Sequence, residues 1–322
     1  MQDKNPNSLF GADLNEYSQN VNFGILATSV DFLYLRSSGS GSGRFRPDRK
    51  FIEFAKGARN YGIPVGAYHY ALPSADITSA DIQCDDFIKI LQEGFGQGNY
   101  GDIYPVVDVE APVDKSITTV QLLSWIDRFR KRFEEKTRRR LMLYTGAFFI
   151  DIYDNFYYPG RGFILSNMPL WIAMYPSIPG NPPYPKNQGG WERWKIWQFT
   201  ESGKVNGVSS PSDLNWGPDS LDLLKQPQMV SGLNATRNGN IIDVTWDKPS
   251  NADISGYNLY LNDAYAGTAG KNATSYKIDI NKFKMIPKGM PLRVSIEAFD
   301  LDNEFSTERA SITLPQPRED TE

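Results

Sequence analysis

Two carboxylates, Asp108 and Glu110, stand at a spacing that could support acid–base chemistry. Both follow the apolar run 103–107, which is typical of a buried strand. Side chains two residues apart on a strand point to the same face, so these carboxyl groups would lie side by side. Repulsion between like charges raises one pKa, so one group can donate a proton while the other stays ionised. Cleavage of a glycosidic bond requires such a pair, although Asp-x-Glu alone is a weak motif that many solvated strand ends share.

The composition removes most competing chemistry. The 322 residues include one His and one Cys, too few for a zinc hydrolase site, and we predict neither a metal nor another cofactor. A Cys–His nucleophile could only pair Cys84 with His69, and Cys84 lies in a segment with helical periodicity, where it is expected to pack. The net charge of -4 argues against a nucleic-acid partner, and no apolar run is long enough to span a membrane.

Further acids and aromatic residues follow other predicted strands. Asp13 comes after the short apolar segment 9–12, and Asp213 lies in the segment SDLNW. If all these strands are parallel, their ends meet at one rim of a barrel, where such folds carry their active sites. The polar and aromatic residues at the same strand ends are Tyr68, His69, Tyr70, Tyr144, Trp171, Tyr175, Trp197 and Gln198.

The elements that must position these residues alternate over residues 1–225. Apolar strand-like runs are separated by helix-like segments at 48–61, 79–93 and 116–137, the last with Ser116 as the expected N-cap. Such alternation predicts βαβ units and a parallel sheet, here closed as an irregular TIM-like β/α barrel.

The pattern changes after this α/β region. Residues 229–314 show short alternating stretches separated by turns such as Asn238-Gly239 and Asn262-Asp263, which predicts an all-β, immunoglobulin-like sandwich. The module resembles a fibronectin type III domain in residues that include Leu233, Trp246, Tyr257 and Tyr260. We expect a linker at 226–228 and a disordered tail at 315–322.

Over about residues 8–224 the chain resembles the family 25 glycoside hydrolases, the Chalaropsis-type lysozymes. The motifs that carry the resemblance occur in the family's order: FGADLNEYSQ, VGAYHYALP, YPVVDVE, LMLYTG, LWIAMY, IWQFT and SDLNW. Many members are phage endolysins or bacterial autolysins with an irregular barrel of five β/α units and further strands. The resemblance implies an N-acetylmuramidase that cuts the β-1,4 bond from N-acetylmuramic acid to N-acetylglucosamine in peptidoglycan.

Matched position by position, the resemblance also implies roles. Glu110 corresponds to the general acid, and Asp108 to its partner, which stabilises positive charge or orients the 2-acetamido group of the substrate. Asp13 and Asp213 match the two other acidic positions of the site. The residues expected to line the glycan groove are Tyr68, Tyr70, Tyr144, Trp171, Tyr175 and Gln198, with His69 as a supporting residue.

One segment departs from the family pattern. After the second strand, family members often carry Lys or Ser followed by an acidic residue, whereas this chain has Arg36, a Gly-Ser run and no acid before Asp48. We expect this run to be a flexible loop that shapes a different subsite. No GKS or GKT follows the run, so it is not a phosphate-binding loop.

Two alternatives remain open at this point. The barrel could bind wall glycan without cutting it, or the chain could be a chitinase-like glycosidase, although Val106 stands where the chitinase pattern has a further Asp. The N-terminus lacks the features of a secretory signal. We therefore expect a monomeric phage or prophage lysin, made in the host cytoplasm or carried in a virion. Its C-terminal domain would serve as a spacer or bind a wall polymer or the phage particle.

Overall fold

The computed structural model describes residues 1–176, 184–248, 254–283, 287, 290–301, 305–306 and 308–314. It divides into two units, Met1–Lys225 and Gln226–Glu322. The tail at 315–322, expected to be disordered, lies outside the described residues. Across the described ranges, none of the helices combines the length and apolar character needed to cross a membrane.

The first unit is built on a closed barrel. Among the described residues, eight strands pair in the order β1-β9-β8-β7-β6-β5-β4-β2, and pairing of β1 with β2 completes the ring, while β3 extends the sheet beside β2. The strands are β1 (Phe10–Leu14), β2 (Phe32–Gly39), β3 (Arg46–Pro47), β4 (Val65–Tyr70), β5 (Val106–Asp108), β6 (Met142–Gly146), β7 (Leu170–Ala173), β8 (Ile196–Gly203) and β9 (Ser212–Trp216).

The barrel is not wholly parallel, so our expectation of one strand direction was wrong for β9. Strand β9 runs antiparallel to both β8 and β1, because only a short connection joins it to β8. This reversal places the first residues of β9 beside the last residues of β1. Asp213 is therefore the direct partner of Asp13, at the same rim as the ends of the parallel strands.

Three helices match the segments that the periodicity predicts: α2 (Phe51–Asn60), α3 (Thr78–Phe95) and α4 (Thr119–Thr137). The short helices α1 (Phe23–Leu26) and α5 (Ala147–Ile152) were not predicted, and 3-10 turns lie at Asp154–Phe156 and Leu221–Leu224. The expected N-cap Ser116 was wrong by two residues. Thr118 caps α4 because it forms a reciprocal capping box with Gln121, which Ser116 cannot form.

Alternation along the strands separates two cores. Residues that face outward, such as Leu33, Leu35 and Val107, pack against the helices. Residues that face inward fill the barrel with large rings, among them Tyr34, Tyr68 and Trp171. The barrel is thus a packed core whose upper layer carries polar groups.

The Gly-Ser run begins as a strand and only then becomes a loop. Strand β2 extends to Gly39, and the side chains of Ser37 and Ser38 are buried. Ser37 donates to the carbonyl of Tyr68, and Ser38 Oγ lies 2.9 Å from His69 Nδ1. Our expectation of a flexible loop was therefore wrong for this part, because small hydroxyl side chains fit and pair there.

The second unit is all β over its described residues. Its strands form a three-stranded sheet, β10-β11-β14, and a four-stranded sheet, β13-β12-β15-β16. The strands are β10 (Asn234–Asn238), β11 (Ile241–Thr245), β12 (Ile254–Leu261), β13 (Ala264–Gly270), β14 (Ser275–Asp279), β15 (Leu292–Asp300) and β16 (Ala310–Leu314), with a 3-10 turn at Ile280–Lys282. Asn262 and Asp263 both have positive φ and join β12 to β13, as the turn signal predicts.

Candidate active site

A cavity of about 320 Å³ opens at the rim where β1, β5 and β9 bring their acids together. Nine of the ten residues that we expected at the site line it, namely Asp13, Tyr68, Tyr70, Asp108, Glu110, Tyr144, Trp171, Gln198 and Asp213. The tenth, Tyr175, lies beyond the end of β7 and is not part of the lining, but its hydroxyl donates to Gln198 Oε1 at 2.5 Å. Asn15 and Arg36 complete the lining and were not predicted as site residues.

Asp13 and Asp213 form the deeper acidic pair. Asp13 is buried and accepts hydrogen bonds through Oδ2 from Asn215 Nδ2 at 2.9 Å and from Gln198 Nε2 at 3.0 Å. These donors stabilise its ionised form, although burial raises its pKa. Burial and the neighbouring Asp13 charge raise the pKa of Asp213 far above its ordinary value. The two carboxyls therefore share one proton, which Asp213 holds and Asp13 accepts.

Asp108 and Glu110 form the second pair. Asp108 ends β5 and is buried, whereas Glu110 follows the strand and is partly exposed. Burial raises the pKa of Asp108 well above its ordinary range, and the Glu110 and Asp13 charges raise it further. Burial also raises the pKa of Glu110, with Asp13 and Glu201 adding to the effect. Burial and the nearby negative charges therefore both favour the protonated forms of this pair.

One oxygen of this pair is available to a ligand. Asp108 Oδ1 is buried and has no hydrogen-bond partner among the described residues. A buried carboxyl oxygen without a partner is costly unless a bound molecule supplies a donor. Asp108 thus has the geometry to accept a hydrogen bond from an N–H or O–H group held in the cavity.

A polar network connects side chains of β6, β7, β8 and β9 to Asp13. Tyr144 donates to Gln198 Oε1 at 2.8 Å, and Trp171 Nε1 donates to Asn215 Oδ1 at 2.9 Å. Gln198 and Asn215 in turn donate to Asp13. Each amide is thereby fixed in one orientation, so both present their N–H groups to the carboxylate. The ring of Tyr144 also packs edge-on against Trp171 at 4.9 Å between centroids.

Arg36 brings a positive charge to this acidic cavity. Its Nε donates to Asp48 at 2.9 Å and its Nη2 to Glu16 at 3.3 Å. Arg46 and Arg49 also pair with Glu16. The carboxylate that binds the Arg36 guanidinium is therefore itself held by two further ion pairs. Its charge opposes the rise in the pKa of Asp108.

His69 and Cys84 lie outside the cavity. His69 alternates with Tyr68 and Tyr70 on β4, so its ring faces the helices, where it stacks near Phe129 and lies 3.2 Å from Gln83 Oε1. Burial lowers the pKa of His69 to about 4, so it is neutral at pH 7. Burial raises the pKa of Cys84 to about 12, in keeping with a packing role.

Sequence reasoning missed Asn15, Asn215 and the position of Arg36. Asn15 and Asn215 each stand two residues after a predicted acid, so strand alternation alone could have placed them on the same face. Arg36 falls in the apolar run 32–37, which is strand-like, but the Gly-Ser run after it favours a loop and gave no sign that Arg36 lines the site. In the described residues, no group of three or more His, Cys, Asp and Glu side chains is arranged to hold a metal ion.

Comparison with known proteins gives a family match for the barrel region. Residues 12–208 match the model of the family described as glycosyl hydrolases family 25. The crystal structure of the spore cortex lytic enzyme SleM of Clostridium perfringens matches this chain with a TM-score of 0.83. The two sequences are 59% identical, and the match covers 98% of this chain and 100% of SleM.

Two curated relatives match the barrel region. An N,O-diacetylmuramidase of Arthroderma benhamiae is 29% identical over 225 residues, which is 68% of this chain and 87% of the relative. Lysozyme M1 of Streptomyces globisporus is 26% identical over 215 residues, which is 64% of this chain. That match spans 66% of the lysozyme, just under two thirds of its length.

Proposed function

This chain belongs to glycosyl hydrolases family 25, and on that premise we propose that it is a lysozyme-type muramidase. It hydrolyses the β-1,4 bond between N-acetylmuramic acid and N-acetylglucosamine in peptidoglycan. The observation that carries the proposal is the gathering of four carboxyl groups, from β1, β5 and β9, around one cavity. Similarity to a muramidase and to a lysozyme supports the same substrate.

Glu110 is the proton donor in this proposal. It is the outermost acid of the β5 pair, and burial raises its pKa, so it can carry a proton to the mouth of the cavity. The bond from the sugar C1 to the leaving oxygen breaks as that oxygen takes the Glu110 proton. Water then adds to C1 and gives one proton back to the Glu110 carboxylate, which restores the acid.

Asp108 supports the charge that develops at C1. Its unpartnered Oδ1 is suited to accept the N–H of the 2-acetamido group of the substrate. A donor at that oxygen favours the ionised form of Asp108, because it replaces solvation that burial removes. Asp13, fixed by Asn215 and Gln198, supplies a second negative charge beneath the sugar.

The physiological substrate that we propose is the peptidoglycan of the spore cortex. The support is the 59% identity to SleM across nearly the whole of both chains. A phage or prophage lysin, which we expected from the sequence, remains an untested prediction. Parallel digestion of purified spore cortex and vegetative walls tests the cortex proposal. Faster release of reducing sugars from vegetative walls contradicts it.

Mass spectrometry of digested peptidoglycan tests the bond that is cut. Fragments with muramic acid at the reducing end support the proposal, whereas glucosamine at that end or freed peptides contradict it. Digestion of chitin oligomers in parallel tests the chitinase-like alternative, which faster chitin cleavage would favour.

Glu110→Gln tests whether the site cuts glycan or only binds it. The variant keeps the shape of the side chain, but its amide is too weak an acid to transfer a proton to the leaving oxygen, so release of reducing sugars should fall at least about a hundredfold. Wall binding, measured by sedimentation with purified walls, should persist. Glu53→Gln, on the surface of α2, is the matched control and should keep full activity. Lysis by Glu110→Gln at the wild-type rate would contradict the assignment of Glu110 as the proton donor.

For the second unit we propose a fibronectin type III-like sandwich that binds wall polymer. Packing of Trp246 against Tyr257 in its core, at 5.2 Å between centroids, supports this class of fold. Sedimentation of residues 226–322 with purified walls tests the binding, and a protein left in the supernatant favours a spacer. The monomeric state that we expect can be checked by light scattering of the full chain.

A further inference from the structure

The ring of Phe148 lies against Gly146 at the end of β6, and it is not among the residues that line the cavity. Gly146 is the last residue of β6. It lies two residues after Tyr144, so both positions are on the same face of the strand. A Cβ atom at Gly146 would lie only 2.5 Å from Cε1 of Phe148. The ring therefore occupies the space in front of Gly146, one layer outward from Tyr144, and the side chain of Phe148 is 56% exposed.

The same layer contains Glu110. In the parallel pairing of β5 with β6, Asp108 is level with Tyr144, and Val109 N donates to the carbonyl of Tyr144 at 2.9 Å. Strand β5 ends at Asp108, so Glu110 lies two residues beyond this last pair, as Gly146 does on β6. From this register we infer that the ring in front of Gly146 lies on the Glu110 side of the cavity.

Buried contacts keep this arrangement fixed. Thr145 Oγ1 donates to the carbonyl of Val109 at 2.7 Å, and the Tyr153 hydroxyl donates to the carbonyl of Pro112 at 2.6 Å. These bonds tie the end of β6, before α5, and Tyr153, after α5, to the chain on both sides of Glu110. Packing of the buried Phe149 against Tyr153, 4.9 Å between centroids, anchors the helix on its inner face. Phe148 is therefore exposed on a rigid support.

We propose that Phe148 is the stacking platform for the sugar on the leaving side of the scissile bond, an N-acetylglucosamine residue. The proposal rests on the muramidase function above. The sugar whose bond is cut lies deep, over Asp13 and Asp108, while Glu110 donates its proton to the leaving oxygen. The leaving sugar must then lie outward of Glu110, where the exposed face of Phe148 can pack against its C–H groups.

Two substrates separate this role from general damage. One is a tetrasaccharide of alternating N-acetylglucosamine and N-acetylmuramic acid, and the other is the disaccharide fluoride that ends in N-acetylmuramic acid, whose leaving group is fluoride rather than a sugar. Phe148→Ala should lower kcat/KM on the tetrasaccharide about tenfold, as expected for one lost aromatic contact. It should leave hydrolysis of the fluoride unchanged, and Phe148→Tyr should restore cleavage of the tetrasaccharide.

Tyr61→Ala is the matched control, because Tyr61 is 60% exposed but lies after α2, before the start of β4 and away from the mouth. It should not change either rate. Equal loss on both substrates by Phe148→Ala, or no loss on the tetrasaccharide, overturns the proposal. If the wild-type enzyme cleaves neither substrate, the muramidase function itself is contradicted. That outcome is separate from the Phe148 proposal, which is tested only by comparing variants with an active wild type.

Discussion

At the scale of single residues, the site combines four carboxyl groups with one guanidinium. Asp13 accepts hydrogen bonds from two side-chain amides, and the neighbouring Asp213 has a strongly raised pKa. Asp108 Oδ1 accepts no hydrogen bond from the described residues. Chemically identical groups thus differ in protonation because their burial and partners differ. The same reasoning makes Arg36 and His69 the residues whose replacement should be most informative.

Removal of the Arg36 charge should change the pH dependence of activity. Arg36 favours the ionised form of Asp108, so Arg36→Met raises the pKa of Asp108 further. The acid limb of the pH–kcat profile should move to higher pH. At a fixed pH on that limb, activity should fall by up to about tenfold for every pH unit that the limb moves. Arg36→Lys should recover part of the loss.

Arg49→Met is the control for the Arg36 variants. Arg49 pairs with the same Glu16, but its side chain is 75% exposed and does not line the cavity. Its loss should leave the pH profile unchanged. The same displacement of the profile in Arg49→Met and Arg36→Met would mean that the ion-pair cluster, not the charge in the cavity, controls it.

His69 should make the fold sensitive to mild acid. Its pKa is about 4 in the folded chain and near 6.5 when unfolded, so the unfolded state binds the proton first as pH falls. Its stabilising contribution is complete above pH 6.5 and is lost between pH 6.5 and 4, by about 3 kcal/mol in total. Urea unfolding across this range should show a smaller pH dependence for His69→Gln than for the wild type. Parallel curves for the two proteins would contradict the assignment.

At the scale of elements, capping residues determine where a helix of the barrel begins. The apolar periodicity of α4 continues upstream of its first turn, so periodicity alone allows several starts. The capping box of Thr118 and Gln121 satisfies free backbone donors at one of them. Ser116 instead donates its backbone N–H to Asp114 Oδ1, outside the helix.

This difference predicts unequal effects of two similar substitutions. Thr118→Ala removes the acceptor for the backbone N–H of Gln121 and should lower the free energy of unfolding by about 1 kcal/mol. Ser116→Ala should change it by less than about 0.5 kcal/mol. Chemical denaturation of both variants provides the comparison, and equal losses would show that the cap position does not control α4.

At the scale of the whole molecule, two units carry separate hydrophobic cores. The barrel unit contains the helix-facing and interior clusters, and the second unit contains its own cluster around Tyr257 and Leu259. The cavity with its carboxyl groups is lined entirely by residues of the first unit.

This division predicts that residues 1–225 retain catalysis alone. Cleavage of a soluble glycan oligomer by that fragment should remain within about twofold of the full chain, since every lining residue is present. Hydrolysis of insoluble walls should fall if the second unit binds them. Loss of activity on the soluble oligomer would mean that the second unit contributes to the barrel site.

Much of this architecture can be read from local patterns. Alternating strands and helices predict the α/β barrel, and the loss of helical periodicity after residue 228 predicts the all-β region. Pairs of residues two apart, such as Asp108 and Glu110, share a face because strand geometry is local. The direction of β9 could not be read in this way, because strand direction depends on which neighbours pair.

The sequence by itself determined the residue types available for chemistry, since one His and one Cys leave carboxyl groups as the main acids and bases. Tertiary structure decided how those groups differ. The reversed β9 brings Asp213 against Asp13, and β2 carries Arg36 to the cavity from a run whose composition favours a loop. Protonation depends on burial and on charges within a few ångströms, and those distances exist only once the barrel has closed.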